Sequence, residues 1–157
     1  MAVAMTVVEA LQSCSLFKEF TETGLKIFAA IATEKTVPAG SPLFAESMVG
    51  ESLFIVKSGQ VRITIRDGGQ ERELDVLGPG EHVGSLALLA KCVRLVSAVA
   101  ASACEVVEIA QRDYHRLQPQ KPQACLKLAL AIAADLAQQS NENRDALRSL
   151  VTAGGKG

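Results

Sequence analysis

Gly84-Ser85-Leu86-Ala87-Leu88-Leu89, with a lone arginine at position 94, is the stretch whose residue types and spacing best suit binding chemistry. A glycine opening a short apolar turn of helix leaves backbone N–H groups without partners, and such groups favour an anion. Arg94, ten residues beyond Gly84, can clamp two oxygens of the same anion with parallel N–H bonds. Together they are scaled to one phosphate. An arginine between Val93 and Leu95-Val96 also needs a negative partner if the fold buries it, and a bound phosphate supplies one. The plain alternative is a glycine turn that starts a core helix, with Arg94 partly exposed and paired to one of the chain's many glutamates.

Other chemistries find less support. His82 and His115 stand alone, one in a loop and one in a short helix, and are expected at the surface. A metal-holding jelly roll needs a histidine cluster and a carboxylate, which the sequence lacks. Ser85 and Ser97 have no base partner in sequence, so nucleophilic catalysis is unsupported. Catalytic residues, metal ligands and a resident cofactor are therefore not expected. Cys14, Cys92, Cys104 and Cys125 are widely spaced and read as reduced, mostly buried thiols of a cytoplasmic protein. With 157 residues, 48% of them apolar and 21% charged, the chain suits one globular domain. A net charge of −1, with basic residues scattered, argues against nucleic acid or an anionic membrane as the main partner. Charges interrupt every apolar run before it can span a bilayer, and residues 1–8 lack the basic start of a signal peptide.

Three zones position the candidate site. Residues 6–33 show helical periodicity through Val7, Val8, Leu11, Leu16, Phe17, Phe20, Leu25 and Phe28, with Thr21 as N-cap of a second helix. From Val37 to Ala110 come short strands and glycine turns. Leu53-Phe54-Ile55-Val56 reads as a buried strand, and Val61, Ile63 and Ile65 alternate with Arg62, Thr64 and Arg66. Asp67-Gly68-Gly69 closes a hairpin. Strands at 96–100 and 105–109 complete a barrel or jelly roll. Residues 113–117 form a short helix, and a long helix follows from 123 to about 151. Its apolar face runs through Leu126, Ala129, Leu130, Ala133, Leu136 and Ala137.

This order of parts resembles a cyclic nucleotide-binding domain of the Crp/Fnr type over nearly the whole chain. Its carriers are Leu16-Phe17, Val37-Pro38-Ala39-Gly40, Gly50-Glu51-Ser52-Leu53-Phe54-Ile55-Val56-Lys57-Ser58-Gly59 and Leu77-Gly78-Pro79-Gly80-Glu81, leading to Gly84 and Arg94. The resemblance implies an α+β fold: a β-roll (jelly roll) at 35–110, flanked by N-terminal helices at 5–33 and C-terminal helices at 111–151. It makes residues 1–152 one domain, with a disordered tail at 153–157. It also implies a ligand site in which Gly84, Leu86 and Ala87 cradle the cyclic phosphate, Arg94 pairs with it, and Leu95 offers a backbone N–H. Ser85 stands where family members usually carry a glutamate that accepts from the ribose 2′-hydroxyl. Val93 and Val96-Ser97 replace the usual proline and alanine-threonine. Gln139 and Ser140 fall where the long helix can touch the base.

The function so implied is a regulatory sensor of cAMP or cGMP that signals through protein–protein contacts and is not an enzyme. The chain stops where a Crp-type regulator continues into a helix-turn-helix, so direct DNA binding is not expected. The long helix either packs on the roll or, through Leu126, Leu130, Leu136 and Leu147, forms a homodimer seam. The second function class is a degenerate fold, kept as an interaction or scaffold module with no nucleotide. Ser85 separates the two, because losing a hydrogen bond to a charged group, about 1.5–3 kcal/mol, weakens binding by about 10- to 150-fold.

Overall fold

Thr6 starts the first helix, α1 (Val7–Ser13), by a reciprocal cap: its hydroxyl accepts from the Glu9 N–H, and the Glu9 carboxylate accepts from the Thr6 N–H. The computed structural model describes residues 5–154. After a single 3-10 turn (Ser15–Phe17), the Thr21 hydroxyl caps α2 (Glu22–Ala29) by accepting from the Gly24 N–H at 3.2 Å. The rings of Phe17, Phe20 and Phe28 pack tilted and edge-on, with centroids 5.0–5.7 Å apart, and join the two helical segments.

Antiparallel strands follow: β1 (Thr33–Val37), β2 (Pro42–Phe44), β3 (Val49–Gly50), β4 (Ser52–Ser58), β5 (Val61–Asp67), β6 (Gln70–Leu77) and β7 (His82–Val83). A single helical turn, α3 (Leu86–Leu89), precedes β8 (Cys92–Val93), β9 (Ser97–Ala100) and β10 (Cys104–Ala110). The chain ends in α4 (Gln111–Leu117) and α5 (Pro122–Gly154). Two four-stranded sheets, ordered β1-β10-β4-β7 and β2-β9-β5-β6, close into a roll, and β3-β8 forms a small ribbon at its edge.

The apolar run in β4 is buried on both faces. Leu53 and Ile55 face the helices and join Leu11, Phe28, Ile109 and Leu128 in one core. Phe54 and Val56 point into the roll, where Phe44, Val61, Ile63 and Val106 form the second core. A strand with helices on one side and a second sheet on the other reads as continuous hydrophobic sequence for this reason.

The expected α+β roll with flanking helices is the observed architecture, with local differences. β1 begins at Thr33, inside the span expected to be helical, because Thr33 already pairs with Glu108 on β10. The alternation along β5 slips at Thr64, which is buried. Ile63 pairs with Asp75 and Thr64 with Glu73, so Leu74 is an extra residue in a bulge that turns Thr64 inward. α5 buries Cys125, Leu128 and Ile132, whereas Leu126, Leu130, Ala133 and Ala137, expected on the apolar inner face, are exposed. The helix carries two apolar stripes, and the periodicity alone does not say which one meets the roll. α5 also continues through Gly154, so the expected tail at 153–157 overlaps it, and residues 155–157 lie outside the described residues.

Gly59, between β4 and β5, has φ +80°, and a Cβ there would lie 2.5 Å from the Ala103 carbonyl oxygen and 2.6 Å from Cys104 Cβ. Gly59→Ala should therefore lower stability by about 1–3 kcal/mol in urea unfolding. Gly68→Ala, at φ +60° in the open hairpin turn, should cost less. Equal costs at the two sites would refute the packing argument.

Candidate ligand-binding cleft

The β3-β8 ribbon sets the backbone of Arg94. Val49 pairs with Val93 and Gly50 with Cys92, after which the Arg94 N–H donates to the Met48 carbonyl at 2.7 Å. The Arg94 carbonyl accepts from the Ser47 N–H at 2.8 Å, and Ser47 holds φ +73°, the one non-glycine residue with positive φ among those described. Local backbone strain is thus stored beside the candidate clamp.

The Arg94 side chain turns inward and is only 7% exposed. Its Nη2 donates to the Ser52 carbonyl at 2.7 Å, its Cζ lies 4.0 Å above the Phe44 ring, and its buried Nε has no partner. Two glycines make room for it. A Cβ on Gly84 (φ +84°) would collide with Nη1, and one on Gly50 would lie 3.1 Å from Nε and 3.2 Å from Ala87 Cβ. Burial pulls the arginine's pKa below its ordinary value, while Cys92, Glu108 and Glu51 act in the opposite sense. Among the described residues no carboxylate forms an ion pair with it.

A cleft of about 520 Å³ opens between this arginine, the inner wall of the roll and α5. Gly84, Ser85, Leu86, Ala87, Arg94, Leu95 and Gln139 all line it. Ser140 does not: it belongs to a shallow groove with Arg144, Leu147 and Val151, because adjacent helical residues point about 100° apart. The Ala87 N–H bends back to the Gly84 carbonyl at 3.1 Å. The N–H groups of Ser85, Leu86 and Leu95 make no hydrogen bond among the described residues. Ser85 is buried and makes no side-chain cap, and the Leu95 side chain is 81% exposed at the rim.

His82, expected at the surface, is covered by α5, and its side chain is 10% exposed. Its Nε2 lies 3.5 Å from Asp135 Oδ2, which also accepts from Gln139 Nε2 at 2.9 Å, while the buried Nδ1 has no partner. β7, α5 and the cleft-lining Gln139 are thereby linked. Phe44, Gly50 and Ser52 shape the clamp without having been singled out as site residues. Ser52 acts through its carbonyl, a group every residue carries, so its side chain gives no signal of the role. Among the described residues no three metal-ligating side chains gather, and no helix is long and apolar enough to cross a membrane.

The family model for the cyclic nucleotide-binding domain matches residues 34–120, the roll and α4. The chain belongs to the cyclic nucleotide-binding domain family. It is 38% identical over 106 residues to the cyclic AMP receptor protein of Thermus thermophilus, covering 67% of this chain and 49% of that protein. The chain thus spans about half the length of this relative. Among solved structures, the N-terminal domain of a transcriptional regulator from Streptomyces coelicolor superposes with a TM-score of 0.76 at 25% identity, over 85% of this chain and 94% of that one. The regulatory domain of Toxoplasma gondii PKA, crystallised with cAMP, has a TM-score of 0.65 at 31% identity, over 71% of this chain and 42% of that one. In this cyclic nucleotide-binding domain the cleft lies partly outside the matched region, because Leu136 and Gln139 come from α5.

Burial of His82 holds its pKa below the ordinary 6.5, against the attraction of Asp135 and Glu81. The unfolded chain therefore binds a proton more readily than the folded one, so stability falls as pH drops below 6.5 and levels off below the folded value. Tm should decline between about pH 7.5 and 5.5, the window in which histidine titrates, and His82→Asn should flatten the decline. An unchanged slope in the variant would assign it to another group.

Proposed function

We propose that this domain is a regulatory sensor that takes cAMP or cGMP into the cleft and passes the bound state to a protein partner through α5. The observation that carries the reading is Arg94, a guanidinium removed from water with one carbonyl partner and an orphaned Nε. Leaving a buried cation uncompensated costs several kcal/mol, and a cyclic phosphate offers both the missing charge and paired acceptor oxygens. Membership of the family and likeness to a regulatory domain crystallised with cAMP support the same reading. The free N–H groups of Ser85 and Leu86 would receive the phosphate, Leu136 would pack on the base, and Gln139 would meet its polar edge. Ser85 offers the ribose a neutral hydrogen bond where a glutamate would offer a charged one. No group-transfer chemistry is assigned to the cleft.

The outward face of α5 favours a second copy of the chain as the partner. Leu126, Leu130, Ala133, Ala137, Leu147 and Val151 are all exposed and, with Ser140 and Arg144 between, recur at alternating spacings of four and three. That is the a/d pattern of a two-helix seam, in which Ala133, Ala137 and Ser140 permit close approach and Arg144 is the one charged position. Leu136, counted toward this seam in sequence, lines the cleft instead. A ligand touching one face of α5 would bias pairing on the other only by favouring one arrangement of the helix.

Titration calorimetry with cAMP and with cGMP should show binding to the wild type and at least about a 30-fold loss in Arg94→Ala. Ser85→Glu should tighten binding by about 10- to 150-fold. No heat from either nucleotide at millimolar concentration would favour the interaction-module reading, and binding unchanged in Arg94→Ala would refute the site. Light scattering should separately give a dimer for the wild type and a monomer for Leu130→Glu. A monomeric wild type would remove the seam.

A further inference from the structure

The clamp has a support on the far side of the guanidinium. Ser52 opens β4 and pairs with Ala110, the last residue of β10. Its side chain is buried, and its hydroxyl donates to Glu108 Oε1 at 2.6 Å. Glu108 Oε2 pairs with the Lys35 ammonium on β1. Glu108 stands opposite Phe54 on β4 and Thr33 on β1, two residues along from Val106, so it projects from the inner face that otherwise builds the roll's apolar core. A carboxylate in that wall extends no hydrophobic contact. It does join three strands to the one carbonyl that holds Arg94.

We propose that Glu108, which lies outside the cleft, is the positioning residue of the anion clamp: by fixing Ser52 it fixes the carbonyl that holds Arg94 Nη2 and so aims the guanidinium. Lys35 completes the relay by holding Glu108. Burial works to raise the Glu108 pKa, but the bonds from Lys35 and Ser52, with the charges of Lys35 and Arg94, hold it below the usual carboxylate value. The group is thus a standing negative charge behind Arg94. It partly offsets the arginine's charge without occupying the guanidinium N–H groups that a ligand would use. The assignment of a nucleotide as ligand rests on the reading above, whereas the aiming of Arg94 can be measured with the cleft empty.

The ligand-free test is the 15N–1H signal of the Arg94 Nε–H, assigned by its loss in Arg94→Lys. The wild type should show a resolved, slowly exchanging peak. Glu108→Ala and Ser52→Ala should broaden it or speed its exchange at least tenfold. Glu108→Gln, which keeps an acceptor for the Ser52 hydroxyl, should retain it. Backbone amide spectra confirm folding of each variant, and Ser52→Ala, the smallest change, serves if Glu108→Ala does not fold. A peak unchanged in Ser52→Ala and in folded Glu108→Ala would overturn the proposal. In parallel, cAMP affinity should fall about tenfold in Glu108→Ala and by less than about threefold in Glu108→Gln. A wild type that binds neither cAMP nor cGMP would refute the nucleotide reading and leave the Arg94 signal to decide this one. Binding that is present and unchanged in Glu108→Ala would refute this proposal alone.

Discussion

A single cation held away from water organises the cleft end of this molecule. Arg94 can occupy its site only because Gly84 and Gly50 have no side chains, because Phe44 lays its ring beneath the guanidinium, and because Ser52 gives up a carbonyl to it. Each neighbour comes from a different strand or turn, so the geometry depends on the whole roll having closed. Removing the guanidinium from water costs electrostatic energy, which the Phe44 ring and the Ser52 carbonyl return in part.

α5 divides its surface among three tasks. Cys125, Leu128 and Ile132 bind it to the core, Leu136 and Gln139 close the cleft, and the opposite stripe faces solvent. Lys127 adds an anchor at its start, donating to the Glu19 carbonyl at 2.6 Å beside the Phe20 ring. The contact of His82 with Asp135 and the packing of Leu136 against the core are then the last ties between helix and roll. Beyond them every residue from 139 to 152 is exposed. The helix is therefore held by the roll over its first half and exposed on all sides over its second.

Much of this was legible in the sequence wherever the signal was local. The Thr21 cap, the apolar run of β4, the Gly68-Gly69 turn and the span from Gly84 to Arg94 each declare themselves within a few residues. Likeness to a known family then ordered those pieces into a roll with its cleft. Groups that act across strand registers were not legible. Phe44 and Ser52 meet Arg94, and Glu108 meets Ser52, only through pairings of β2, β4 and β10. The burial of His82 depends on where α5 lies, and the inward turn of Thr64 depends on a bulge at Leu74 in another strand. The two stripes of α5 were visible as apolar residues, but their assignment to core or solvent required the packing itself.

The length of α5 beyond its last tie has a consequence for how a signal could be graded. Helix formation is costly to start and nearly neutral to extend, and the core has already started this helix. Residues past 139 need only propagation, aided by local bonds such as Gln138 Nε2 to Glu142 Oε1 at 3.1 Å. Covering any one turn would stabilise it without a new nucleation step. A partner laid along it would therefore add its effect in steps of one turn rather than all at once.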